Sequence, residues 1–139
     1  DKDNLMNTTI RNSLISFYSK YDELIKSELN FEQTYIELTH YKLSEIRKMS
    51  PIFFHNFMSQ FANDNNFFDQ ESQKLSDELV LGLFAKGRRE GKINPAYNNE
   101  VLLMLMHIFT EGMKSQALDE NALLKYADQI TRIFLNGLR

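Results

Sequence analysis

The sequence contains no cysteine, which excludes disulfides, thiolate metal sites and a thiol nucleophile, and fits a reducing compartment. Only 5 glycines and 2 prolines occur, and no segment alternates polar and apolar residues as a strand does, so the pattern predicts an almost entirely helical chain. The densest apolar run, residues 101–109, is too short to cross a bilayer, and the N-terminus lacks a basic-then-apolar signal. We therefore expect a cytoplasmic protein without membrane spans.

Acidic residues slightly outnumber basic ones: 16 Lys and Arg stand against 19 Asp and Glu, a formal net charge of −3. Proteins that grip a nucleic-acid backbone carry clustered Lys and Arg, so we do not expect this chain itself to bind DNA. With 42% hydrophobic and 25% charged residues in 139, the composition is that of one globular domain. The sequence starts at Asp1, inside a predicted helix, so we expect a fragment of a longer polypeptide.

Helical periodicity, interrupted by a few helix-ending signals, predicts an all-α bundle of about six helices. Pro51 at a first helical position follows Ser50 as N-cap, Gly91 is a natural helix terminator, and Asn94 with Pro95 opens the fifth helix. The predicted helices cover residues 3–28, 31–48, 51–63, 68–90, 95–115 and 119–139.

Motifs that carry chemistry are nearly absent. Glu37 and His40 have the Glu-x-x-His spacing of di-iron bundles, but such sites need two copies and two further glutamates. Positions three before His55 and His107 are Ile52 and Met104, so we expect no metal and no cofactor. No nucleophile elbow, phosphate loop or dinucleotide turn is found, and we do not expect an enzyme.

Aromatic residues are concentrated, with six of the 11 phenylalanines between residues 53 and 68. They could line a ligand cavity, since flat, rigid side chains with a few polar groups are typical of small-molecule sites. They could equally fill an ordinary helical core. His55 and Tyr18 are the polar anchors that we favour for a cavity.

The last two predicted helices carry more apolar surface than a domain of this size covers internally, and an isologous dimer would cover it as a four-helix bundle. The alternative is that one of them is the central helix of a monomeric bundle. The residues predicted for the dimer seam are Leu102, Met106, Phe109, Ile130, Ile133 and Phe134.

Three short segments stand out along the chain, in this order: residues 1–6 (DKDNLM), residues 83–93 (LFAKGRREGKI) and residues 135–139 (LNGLR). Together they resemble the C-terminal regulatory domain of the tetracycline-repressor (TetR) family of bacterial transcription regulators. Residues 1–6 are similar to the start of the family's long connecting helix. Residues 83–93 resemble its recurring G-x-x-x-G-x-I before the dimerisation helices, and residues 135–139 look like its frequent ending. The resemblance covers nearly the whole chain.

The resemblance implies a single regulatory domain, with ligand-binding helices in residues 1–93 and dimerisation helices in residues 94–139. It also implies a homodimeric transcriptional repressor whose N-terminal helix-turn-helix domain is absent from this chain and alone contacts operator DNA. A small apolar or aromatic effector would bind among the first four helices and shift a conformational equilibrium. A ligand-free helical dimerisation or protein-interaction module is the alternative. From the helical faces, the predicted ligand-binding residues are Phe17, Tyr18, Tyr21, Tyr41, Phe54, His55, Phe57, Met58, Phe61 and Phe84.

Overall fold

The computed structural model describes residues 2–48, 50, 52, 70–113 and 120–139. Within these residues the chain forms five α-helices and no strand, which confirms the predicted all-α class. The helices are α1 (Lys2–Ile25), α2 (Phe31–Lys48), α3 (Gln70–Arg89), α4 (Asn99–Met113) and α5 (Glu120–Gly137). The predicted third helix, residues 51–63, lies outside the described residues except for Ile52.

The described helices pack in a simple order. α1 lies against α2 and α3, α2 also contacts α3 and α5, and α4 packs on α3. Their apolar stripes therefore meet along α2 and α3, which are the two elements that touch most of the others. No described helix has both the length and the apolar character needed to cross a membrane.

The hydrophobic core sits at one end of the bundle, where α1 and α3 end and α2 begins. Phe31, Phe84 and Leu102 are its largest fully buried apolar side chains. They come from the first residue of α2, the last turns of α3 and the first turn of α4. The end of α5 closes the same core through Phe134, Leu135 and Leu138.

The last turn of α3 is shaped by two glycines. Gly91 has a positive φ of 70°, and the Lys92 and Gly91 amides donate to the carbonyls of Gly87 (2.9 Å) and Arg88 (3.1 Å), the paired bonds of a Schellman cap. Gly87 is buried, and a Cβ placed on it would lie only 2.9 Å from side-chain atoms of Phe31 and Ile93. Glycine at position 87 therefore allows the core to close on the α3 backbone.

The α3–α4 connection differs from the prediction. The fifth helix was expected to start at Pro95, but α4 begins at Asn99 because two asparagines use their side chains to build a turn. Asn94 Oδ1 accepts from the Ala96 amide (2.9 Å), and Asn98 Oδ1 accepts from the Val101 amide (2.9 Å) as the helix cap. The backbone amide of Asn94 also donates to the Leu138 carbonyl (2.7 Å), which holds this turn against the end of α5.

We expect Gly87→Ala to lower the free energy of unfolding by about 1–3 kcal/mol, because the added methyl group must displace the buried Phe31 and Ile93 side chains. Urea unfolding followed by circular dichroism measures this. Gly112→Ala is the matched control, since a Cβ there has no neighbour within 4 Å among the described residues. Equal stability of the two variants would contradict the close approach at Gly87.

Candidate functional site

An aromatic cluster lies between α1 and α2. The Phe17 ring centroid is 4.5 Å from that of Tyr21, 5.5 Å from that of Tyr41 and 6.4 Å from that of Tyr18. All four side chains are half-buried, so the cluster is neither a closed core nor a free surface. Phe17 and Tyr21 are four residues apart on one face of α1, and Tyr41 reaches them from α2. These four predicted ligand-binding residues are therefore together.

The tyrosines of this region are held in their neutral form. Burial raises the pKa of Tyr21, and the neighbouring hydroxyls of Tyr35, Tyr18 and Tyr41 raise it further. Burial also raises the pKa of Tyr35 to about 12. For Tyr18, burial raises the pKa while a hydrogen bond with the Ser76 side chain opposes the shift. The cluster can offer a ligand aromatic faces and neutral hydroxyls, but no charge.

The other predicted ligand-binding residues divide into two groups. Phe84 is only 1% exposed and belongs to the main core with Phe31, because its position on α3 faces the start of α2. It therefore packs within the chain. The remaining predicted residues lie outside the described part of the chain: Phe54, His55, Phe57, Met58 and Phe61.

Each of the last two helices presents an exposed apolar stripe. On α4 the stripe repeats at i, i+3 and i+7, and on α5 at i, i+4 and i+7, which is the spacing of a helix–helix seam. We call these six residues the seam stripes. They range from 45% exposed at Tyr126 to 71% at Ile133. The seam stripes consist of Val101, Met104 and Ile108 on α4 and Tyr126, Ile130 and Ile133 on α5.

The six predicted dimer-seam residues do not share one environment. Ile130, Ile133 and Phe109 are exposed, whereas Leu102 and Phe134 are 2% and 9% exposed and lie in the core of the chain itself. Leu102 and Phe134 are thus buried without a second subunit. Met106 is partly buried against the same core. The Phe109 ring meets the Phe134 ring edge-on, with centroids 5.7 Å apart, which joins α4 to α5.

A surface groove of about 560 Å³ lies beside the turn between α1 and α2. Lys86 in the last turn of α3 and Glu90, the first residue after α3, line it and bind the backbone of that turn: Lys86 Nζ donates to the Ser27 carbonyl at 2.8 Å, and the Glu90 carboxylate accepts from the Phe31 amide at 2.9 Å. Sequence reasoning missed both contacts. An i, i+4 spacing at a helix end predicts that a lysine and a glutamate pair with each other. Lys86 and Glu90 instead contact residues that are 59 positions away in the sequence.

Two of the three histidines lie in surface pairs with aspartates. His40 Nε2 is 3.0 Å from Asp128 on α5, and His107 Nε2 is 4.0 Å from Asp77 on α3. Among the described residues, no group of three or more side chains that could hold a metal ion is found. His55 lies outside the described residues.

Comparison of the chain with protein-family models, with curated proteins and with solved structures found no match. Three features of the described residues bear on function: the aromatic cluster, the seam stripes and the groove.

The raised tyrosine pKa values predict loss of stability in alkali. Because the folded pKa of Tyr35 is about 12 against an ordinary value of 10.0, the folded chain binds more protons than the unfolded chain between these values, and stability falls as pH rises through them. Each such tyrosine contributes a slope of at most about 1.4 kcal/mol per pH unit. Urea unfolding across this range measures the slope, and near-ultraviolet absorbance follows tyrosinate formation.

Tyr35→Phe should make that slope shallower, since phenylalanine cannot ionise and keeps the ring packed against Phe134, whose centroid is 5.2 Å away. A slope as steep in Tyr35→Phe as in the parent chain would show that this hydroxyl is not the cause.

Proposed function

We propose that this chain is the effector-sensing and dimerisation domain of a bacterial TetR-like transcriptional regulator. In this proposal a small apolar or aromatic molecule binds at the aromatic cluster, and the chain forms a homodimer through its last two helices. Operator DNA is contacted by an N-terminal helix-turn-helix domain that is not part of this chain, in keeping with the net charge of −3.

The observation that carries the proposal is the pair of seam stripes. Fully burying an exposed side chain of this size contributes roughly 1.5–3 kcal/mol. The stripe residues are 45–71% exposed, so covering the remaining surface of six residues on each of two subunits contributes about 9–18 kcal/mol, which is comparable to or above an association cost of about 4–15 kcal/mol. Both stripes have the spacing of a helical seam, and they occupy the two helices that the resemblance assigns to dimerisation. Since Leu102 and Phe134 are buried within the chain, the proposed interface uses the stripes beside them.

The aromatic cluster supports the sensing half of the proposal. Its rings are half-buried, so an apolar ligand can remove further aromatic surface from water without disrupting the main core. The tyrosine hydroxyls, kept neutral by burial, can orient such a ligand by hydrogen bonds. The cluster lies on α1, the helix that would continue into the DNA-binding domain, so a ligand that favours one position of α1 shifts the arrangement of the whole regulator.

The seam stripes equally support a second function, a ligand-free dimerisation or protein-interaction module. The two proposals differ at the aromatic cluster, which binds an effector in the first and only packs helices in the second. They also differ in the coding region before Asp1, where the first requires an in-frame helix-turn-helix domain.

Self-association is the first test. We expect the purified chain to be a dimer by size-exclusion chromatography with light scattering and Ile133→Asp to be a folded monomer, because a carboxylate cannot be buried unpaired in the seam. Ile15→Asp is the matched control, since Ile15 is 66% exposed on α1, outside the seam stripes, and this variant should remain dimeric. A monomeric parent chain, or a dimeric Ile133→Asp variant, would contradict the proposed interface.

Effector binding is the second test. Within a panel of apolar and aromatic compounds, we expect some to raise the melting temperature by several degrees, since a ligand at 100 times its Kd stabilises by about 2.7 kcal/mol. Tyr41→Ala should remove the shift, and Tyr97→Ala, which changes an exposed ring outside the cluster, should keep it. If Tyr41→Ala retained the full shift, the site would have to lie elsewhere. If no compound shifted the parent chain, the interaction module would be favoured.

A further inference from the structure

The turn between α1 and α2, residues 26–30, is held against α3 by polar contacts; we call this segment the corner. Gly82 and Lys86 lie four residues apart on one face of α3, and Glu90 is the first residue after the helix, four positions further on. All three line the groove beside the corner, together with Ala85 and Arg89. The end of α3 thus presents two cations to the groove, and the residue that follows it presents an anion.

Lys86 binds the end of α1. Its side chain is buried, with 6% of the residue exposed, and its ammonium donates to the carbonyls of Ser27 (2.8 Å) and Ile25 (3.3 Å). Carbonyls at a helix C-terminus carry partial negative charge and lack intrahelical donors. A buried cation is stable only while such groups bind it. Closure of the corner therefore supplies the partners that Lys86 needs.

Glu90 binds the start of α2. Both carboxylate oxygens accept from the Phe31 amide, at 2.9 and 3.0 Å, and the positive N-terminal end of α2 favours a carboxylate at this place. Asn30 caps the same helix by accepting from the Gln33 amide at 2.8 Å. The two ends of the corner are thus held by opposite charges four residues apart, one in the last turn of α3 and one directly after it.

The corner has room to move. The groove of about 560 Å³ lies alongside it, and Lys26, Glu28 and Asn30 are exposed. The fully buried core starts at Phe31, which is 1% exposed, and Leu24 and Ile25 before the corner are partly buried against it. Release of residues 26–30 from Lys86 and Glu90 would therefore exchange hydrogen bonds with water while the core residues on both sides of the corner stay packed.

We propose that the corner is a conformational latch, which opens and closes against α3 as a local unit while Lys86 and Glu90 hold it closed. Its closed state fixes the direction in which α1 leaves α2. Only if the proposed function holds does this direction also set the position of a DNA-binding domain joined to α1. The latch itself needs neither effector nor DNA.

Amide hydrogen exchange of the full chain, without any effector, tests the latch. In Lys86→Met, which keeps a long apolar stem and removes the charge, we expect exchange at Lys26 and Ser27 to accelerate about tenfold or more, since hydrogen bonds to charged groups are the stronger ones. Glu90→Gln is the milder variant, because glutamine keeps one acceptor oxygen and loses only the charge. In this variant we expect hydrogen exchange to accelerate most at the Phe31 amide. Amides in α4 and α5 should keep their parent rates in both variants.

Arg89→Met and Glu28→Gln are the matched controls, because they remove one charge of each sign from the same groove and leave the Lys86 and Glu90 contacts to the corner in place. They should leave the exchange of the corner within about twofold of the parent rates. Unchanged exchange at the corner in Lys86→Met and Glu90→Gln would overturn the latch. Exchange that accelerates equally in all helices would also overturn it, because Lys86 and Glu90 would then contribute only to global stability. Either result leaves the dimer and effector tests unaffected.

Discussion

The fold depends on the approach of the first residue of α2 to the backbone of α3. A Cβ on Gly87 would lie 2.9 Å from the Phe31 ring and equally close to Ile93, so these side chains fill the space that any other residue would occupy. The contact brings together the start of α2 and the turn after α3, and Leu102 and Leu138 then pack onto the same cluster. The start of α2, the end of α3, the start of α4 and the end of α5 therefore meet around the contact between Phe31 and Gly87, where only glycine leaves enough room.

Polar contacts around this core hold the corner and the first turn of α2 in place. Lys86 and Glu90 hold the corner between α1 and α2, and Arg139 pairs with Glu32 on the first turn of α2, which lowers the pKa of that carboxyl. The exposed Arg139 pair contributes little stability, because water competes for both charges. The buried Lys86 contacts are stronger, because water cannot replace the carbonyls while the corner stays closed.

The sequence predicted the helical class and some helix ends, among them the start of α2 at Phe31 and the end of α3 next to Gly91, because these follow from local chemistry. The termination of α3 at Gly91 needs only the left-handed conformation that glycine adopts. Which side of α4 is buried could not be predicted in the same way, since residues 101–106 are apolar on every face and periodicity selects no side. For that reason Leu102 was predicted in a dimer seam, yet it lies in the core. The Lys86 and Glu90 contacts were missed because they join residues far apart in sequence.

Helix α2 connects the two halves of the proposed regulator. Its Tyr41 lies in the aromatic cluster with Phe17, and its Tyr35 packs on Phe134 of α5, which in turn meets Phe109 of α4. Packed side chains resist continuous deformation and shift together as helices move. A ligand that displaces α2 at Tyr41 therefore also displaces the ring against which α5 is packed. In the proposed function, one rigid helix thus links effector binding to the helices that carry the seam stripes.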